Sequence, residues 1–192
     1  MQTIQTKWDQ IYQQHNGALR VVEVLQNNHY LLPKAGIALD LACGMGGNAV
    51  FLAEKGLTVK AWDISSVAIE QLALTAKERK LAIEAEVRDV VANPPEENSV
   101  DVLLVSHFLA RELCPAIIAA IKPGGLLFYQ TYCQEKVHEV GPKNPNYLLA
   151  DNELMRLFSE MKLRVYREEA MLGEHTMGMR NQAWLLAEKP ML

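Results

Sequence analysis

The run ALDLACGMGGNAVFLAEKG, Ala38 to Gly56, places Gly44, Gly46 and Gly47 between an apolar stretch and a helix-forming one. That arrangement leaves little choice of fold, because glycines at a strand-to-helix turn adopt positive φ and let the backbone approach a ligand closely. The helix opening near Asn48 then points its unpaired N–H groups into the same space. The spacing Gly44-x-Gly46-x-x-Ala49 satisfies the dinucleotide fingerprint of nicotinamide enzymes, whereas Asp40 and Cys43 in front of it suggest another nucleotide-like ligand.

The flanking sequence repeats the same unit. Ile37 to Ala42 reads as a strand and Asn48 to Lys55 as a helix closed by Gly56, followed by a strand at Leu57 to Trp62 and a helix at Ser66 to Lys80. Ile69, Leu72, Ala73 and Ala76 mark the buried stripe of the latter. Further strands are predicted at Ile83 to Val87, Val100 to Val105 and, after the turn KPGG, Leu126 to Tyr132. Alternation of this kind implies an α/β fold with a doubly wound, mostly parallel sheet.

Two helices are predicted ahead of it, one with Trp8, Ile11 and Tyr12 on its apolar face, the other around Leu19 to Leu25. After it comes CQEKVHEVGPKNPNY, Cys133 to Tyr147, whose irregular composition suits a flexible loop or an active-site cover. Asp151 or Asn152 should then cap a helix that turns Leu154, Leu157, Phe158 and Met161 to the core, and strands at Lys162 to Met171 and Asn181 to Glu188 should close the sheet as an antiparallel hairpin. The 192 residues, 49% apolar, suit a single domain: N-terminal helices over 1–36, a ligand-binding core over 37–132, and a loop, helix and hairpin over 133–192.

A net charge of -4 argues against a nucleic-acid partner. No apolar run is long enough for a membrane span and the polar start lacks the core of a signal peptide, so the expectation is a cytoplasmic protein without a membrane partner. Cys43, Cys114 and Cys133 form no CxxC pair, which fits a reducing compartment, and no metal site is expected from cysteines and histidines so scattered. Oligomeric state is not legible.

Asp63 ends the second strand nineteen positions after Gly44, where a carboxylate can accept both hydroxyls of a ribose. Asp89 follows the third strand, where it can accept from an adenine amino group. His107 and Arg111 follow the fourth strand, His175 and Arg180 lie between the last two strands, and Tyr147 ends the long irregular segment. These five are candidate catalytic residues on the side of the crevice away from Asp63 and Asp89. His15, His29 and His138 lie in polar stretches and read as surface residues.

The order Asp40-Leu-Ala-Cys-Gly-Met-Gly-Gly-Asn-Ala, Val59-Lys-Ala-Trp-Asp-Ile-Ser, Arg88-Asp-Val, Val100-Asp-Val-Leu-Leu and Lys122-Pro-Gly-Gly resembles the motif series of class I S-adenosylmethionine-dependent methyltransferases. WDQIY at Trp8, NPNYLLADNELMRLF at Asn144 and GEHTMGMRNQAWLLAEKP at Gly173 further resemble the tellurite-resistance-type small-molecule methyltransferases. Gly47 departs from that pattern, where Arg is common. The resemblance implies S-adenosylmethionine as cofactor, S-adenosylhomocysteine as product, and cofactor contacts from Asp40, Cys43, Gly44, Gly46, Asn48, Asp63, Ile64, Asp89, Val90 and Ser106. It also implies a small-molecule acceptor, such as a chalcogen oxyanion or a thiol. A non-catalytic S-adenosylmethionine-binding sensor is the alternative, and a nicotinamide oxidoreductase a third reading, weakened by the lack of a second domain. The Asn93-Pro94-Pro95 run resembles an amino-group methyltransferase signature but precedes the fourth strand instead of following it, with Glu96 in place of the aromatic residue.

Overall fold

The computed structural model describes residues 3–14 and 17–191. His15 lies outside them. Seven strands form one sheet: β1 (Ile37–Leu41), β2 (Thr58–Asp63), β3 (Ile83–Val87), β4 (Val100–Ser106), β5 (Ile121–Tyr132), β6 (Lys162–Glu168) and β7 (Gln182–Glu188). Their order is β3-β2-β1-β4-β5-β7-β6, with the first five parallel and β7 antiparallel to both its neighbours. This is the doubly wound sheet with a closing antiparallel hairpin that the alternation of elements implied.

Side-chain alternation sends the strands' apolar residues to two layers. Leu39, Leu41, Leu103, Val105, Leu127, Tyr129 and Leu185 pack on one face with Ile117 of α5 (Cys114–Ala120) and Leu154 of α6 (Glu153–Leu157). Ala38, Val59, Ala61, Val102, Leu104, Phe128 and Leu186 pack on the other. There they meet α2 (Glu23–Asn28), α3 (Gly47–Glu54) and α4 (Ser66–Arg79). Burial on both faces is what a parallel sheet requires. Among the described residues no helix is long and apolar enough to cross a membrane.

Several predicted boundaries move, each for a visible reason. Residues 19–22 hold no regular structure and α2 starts only at Glu23, where the extended Val22 gives its N–H to Asn48 Oδ1 at 3.0 Å. The KPGG run is absorbed into β5, where Gly124 and Gly125 pair with the backbone of Lys189 at 2.9 Å. In α4 Ala68 faces the core and Ala73 faces out. Helix α6 is only five residues long, and Asn152 leads into it without a side-chain cap. Phe158 still reaches the core, where its ring lies 5.4 Å from that of Tyr129. The last two strands stop at Glu168 and start at Gln182, since residues 169–181 form a loop of their own.

The N-terminal helix α1 (Ile4–Gln13) is not anchored by its apolar stripe: Trp8 and Ile11 are exposed. It docks through polar groups. Asp9 Oδ1 accepts the Ser65 hydroxyl at 2.5 Å and the Val67 N–H at 3.3 Å, so a carboxylate sits at the N-terminus of α4, where the helix dipole favours it.

Candidate active site at the carboxyl edge of the sheet

The carboxyl ends of β1, β2 and β4 meet at the point where strand order reverses, the usual place for a ligand in an open α/β sheet. The Gly44 N–H donates to Asp63 Oδ2 at 2.8 Å and the Ser65 N–H to Asp63 Oδ1 at 2.9 Å. Asp63 therefore braces the glycine turn from the tip of β2. A carboxylate has about four acceptor sites, so these two bonds leave room for hydroxyl donors.

Asp40 lies beneath this turn, fully buried, and neither of its oxygens has a partner among the described residues. Burial pushes its carboxyl up to about 8, against the opposing pull of the Ala49 backbone N–H, with Asp63 adding a smaller repulsion. Burial raises Asp63 as well, against the opposing pull of its backbone donors. The Tyr12 phenol of α1 completes the group. It is raised by burial first and then by its acidic neighbours Asp63, Cys43 and Asp40. A β-carbon on Gly44 would stand 2.7 Å from the Tyr12 oxygen, which places that phenol directly over the turn. Sequence reasoning missed this role for Tyr12, and the only signal was a hydroxyl on the one side of α1 that turns inward.

The structure separates residues that the motif series grouped together. At Gly46, φ is +79° and an added β-carbon would lie 2.3 Å from the Leu72 side chain, so the lack of a side chain lets this turn pack against α4. A β-carbon on Gly47 would stand 2.4 Å from the backbone carbonyl oxygen of Arg20, so a side chain there would force the backbone to move. Asn48 spends its polar atoms within the protein: Oδ1 on Val22, Nδ2 on Ser106 Oγ at 3.0 Å. Asn48 and Ser106, both expected at the cofactor, form a strut from the N-terminal segment to the tip of β4. The Cys43 thiol is buried against the Gly44 carbonyl, and burial holds it protonated. Ile64 is half-buried beside Asp63, and Val90 is buried in the core next to Asp89. Asp89 is exposed, with Oδ1 accepting the N–H groups of Val91 and Ala92 at 3.1 and 3.2 Å.

On the acceptor side, Arg111 is tied down. It grips Glu153 through Nε and Nη2 at 2.6 and 2.9 Å and donates to the carbonyls of Asn146 and Leu148. Asn181 holds the other end of that segment, its Oδ1 accepting the N–H groups of Val137 and His138 at 2.7 and 3.0 Å. The stretch from Cys133 to Tyr147 is thus a tethered wall, with Tyr147 half-exposed on it. Arg180 donates to the carbonyls of Met177, Ala170, Leu172 and Glu174, all within its own loop. His175 contacts the Met171 carbonyl at 2.7 Å. Expected as substrate ligands, both arginines act as braces, because backbone carbonyls in tight turns need donors and a guanidinium supplies five.

His107 differs. Its backbone is left-handed, φ +52°, its ring lies 5.1 Å from that of Tyr132, and its Nε2 is 3.2 Å from Gln182 Oε1. Desolvation holds its imidazole below the ordinary value, with the Gln182 bond acting the other way.

Residues 38–125 match the family described as "Methyltransferase domain". A probable S-adenosyl-L-methionine-dependent methyltransferase TehB of Haemophilus influenzae is 29% identical over 143 residues, 71% of this chain and 49% of the relative. A trans-aconitate 2-methyltransferase of Variovorax paradoxus is 29% identical over 104 residues, 52% of this chain and 39% of the relative. The chain spans about half or less of the length of these curated relatives. The crystal structure of TehB from Haemophilus influenzae superposes with a TM-score of 0.67 at 25% identity, covering 95% of this chain and 67% of that one.

Proposed function

We propose that this chain is a class I S-adenosylmethionine-dependent methyltransferase, as its TehB-like relatives are, and that it transfers a methyl group to a small-molecule acceptor, a thiol in preference to a chalcogen oxyanion. The observation that carries the reading is the acidic set under the glycine turn. Asp40 has two buried oxygens that no group among the described residues meets at hydrogen-bond distance, the Ala49 N–H pulling on them more weakly, and Asp63, Tyr12 and the Cys43 thiol surround the same space. Leaving a carboxyl so buried costs free energy unless a donor or cation meets it. A cofactor carrying an ammonium and a sulfonium fits that set, whereas the pyrophosphate of a dinucleotide would face repulsion.

Asp63 would hold the ribose hydroxyls and Asp89 the adenine amino group, while Gly44 keeps the turn open. When bound, the cofactor supplies an electrophilic methyl carbon on its sulfonium. The protein's own task is then to align the acceptor and keep water away. Helix α1, pinned by Asp9 and carrying Tyr12 over the turn, is suited to exclude water.

The choice of acceptor rests on where the cations are spent. Arg111, Arg180, His175 and Lys136 each contact the protein's own carbonyls or carboxylates, so none of them is arranged as a fork for an oxyanion. A protic, neutral acceptor with a base nearby suits the site better. Release of S-adenosylhomocysteine should be measured with small thiols and with chalcogen oxyanions in parallel. Turnover with thiols supports the reading, and turnover confined to oxyanions reverses the preference.

A further inference from the structure

The environment of His107 specifies its chemistry. Gln130, buried on β5, takes the Val24 N–H on its Oε1 at 2.8 Å, so its other end is the amide nitrogen. That nitrogen donates to Gln182 Oε1 at 2.8 Å. Gln182 must therefore present oxygen, not nitrogen, at this point, and the same oxygen lies 3.2 Å from His107 Nε2. An amide oxygen only accepts, so Nε2 carries the hydrogen and the lone pair of the neutral ring is on Nδ1. No partner for Nδ1 occurs among the described residues. The backbone of His107 is fixed by the same glutamine, its N–H donating to the Gln130 carbonyl at 2.8 Å, and its left-handed φ is uncommon for a residue with a β-carbon.

Resting on the methyltransferase reading, we propose that Gln182, backed by Gln130, is a positioning residue that holds His107 in one tautomer with Nδ1 free to take the proton of a small thiol. In the step assigned to it, the acceptor's S–H bond breaks and the proton goes to Nδ1. The freed electron pair forms the bond to the methyl carbon, and the pair of the broken carbon–sulfonium bond stays on the departing sulfur. The products are a methyl thioether, neutral S-adenosylhomocysteine and an imidazolium that returns its proton to water.

The groups that face His107 do not compete for this role. Tyr132 is a phenol raised by burial, and Lys136, 5.8 Å from the Tyr132 ring, donates to the carbonyls of Val140 and Pro142. Desolvation lowers the imidazole from its ordinary value, which favours the neutral form that accepts a proton.

The tautomer is testable without turnover. In protein labelled with nitrogen-15 histidine, long-range proton–nitrogen spectra near neutral pH should show His107 in the Nε2–H form alone, and a mixture of tautomers in Gln182→Met. With a thiol acceptor, kcat should rise through an acid limb. Gln182→Glu keeps the acceptor oxygen while adding charge, so the limb should move up by about one pH unit. His107→Ala should lose the limb and roughly a hundredfold in kcat, with S-adenosylhomocysteine affinity retained as proof of folding. An Nδ1–H ring, an unshifted limb in Gln182→Glu, or a limb that survives His107→Ala overturns the proposal. Failure of wild-type protein to bind S-adenosylhomocysteine would instead overturn the reading beneath it, while the spectra still decide the role of Gln182.

Discussion

The Gly44 N–H donates to Asp63 Oδ2 at 2.8 Å, joining the tip of β1 to the tip of β2 across nineteen residues of sequence. The carboxylate expected to meet the ribose is therefore also a strut of the turn that the cofactor must approach. Asp63→Ala should weaken S-adenosylhomocysteine binding by at least about tenfold and also lower stability by about 1–3 kcal/mol, since two buried N–H groups lose their acceptor. Calorimetric titration and thermal melting of the same preparation check both effects. A loss of affinity with unchanged melting would mean that the strut is dispensable.

Asp40 makes ligand-free stability depend on pH in an unusual direction. Its carboxyl is pushed up to about 8 when folded, against an ordinary value near 4 in the unfolded chain. Between those values the folded state holds a proton that the unfolded state has lost, so stability falls as pH rises through the interval and levels off above it. Melting temperatures of ligand-free wild type and Asp40→Asn, measured from about pH 5 to about pH 8, should show this slope clearly steeper in the former. A cationic cofactor should favour the carboxylate and expel the proton, which titrations in buffers of different ionisation enthalpy detect.

Gly46 bears on packing. Gly46→Ala should lower the melting temperature clearly, because its β-carbon meets Leu72 at a left-handed backbone position and overpacking of this kind costs about 1–3 kcal/mol. If the variant melts like wild type but no longer binds S-adenosylhomocysteine, the glycine faces the ligand after all.

Much of this could be read from the residues. Alternation of apolar strands and helices was enough for the sheet, and the acidic residues at strand ends marked the cleft, because both depend on local periodicity and spacing. What escaped depends on side-chain partners far apart in sequence. Tyr12 and Gly44, or Gln130 and Gln182, carry no sequence signal of their pairing. Arg111 and Arg180 stood in the expected places, but the carbonyls that occupy them come from irregular loops whose course no periodicity describes. The KPGG run misled for a similar reason: its pairing with Lys189 is made only once β7 is in place.

Those two arginines should behave as braces. Arg111→Lys should fail to substitute, since a single ammonium cannot reproduce the fork that holds Glu153 and two carbonyls. Limited proteolysis should then cut faster within 134–147, and in Arg180→Ala within 169–178, with cofactor affinity unchanged in both. Wild-type cutting rates together with lost turnover would place these residues on the acceptor.

The central claim, that the acidic cleft under the glycine turn takes a nucleoside cofactor with an ammonium-bearing tail, is tested most directly by isothermal titration of the wild-type protein with S-adenosylhomocysteine in the presence and absence of excess NADH. The account requires saturable binding at one site per chain, indifferent to NADH and weakened in Asp63→Ala. Binding of NADH with no heat from S-adenosylhomocysteine would contradict it.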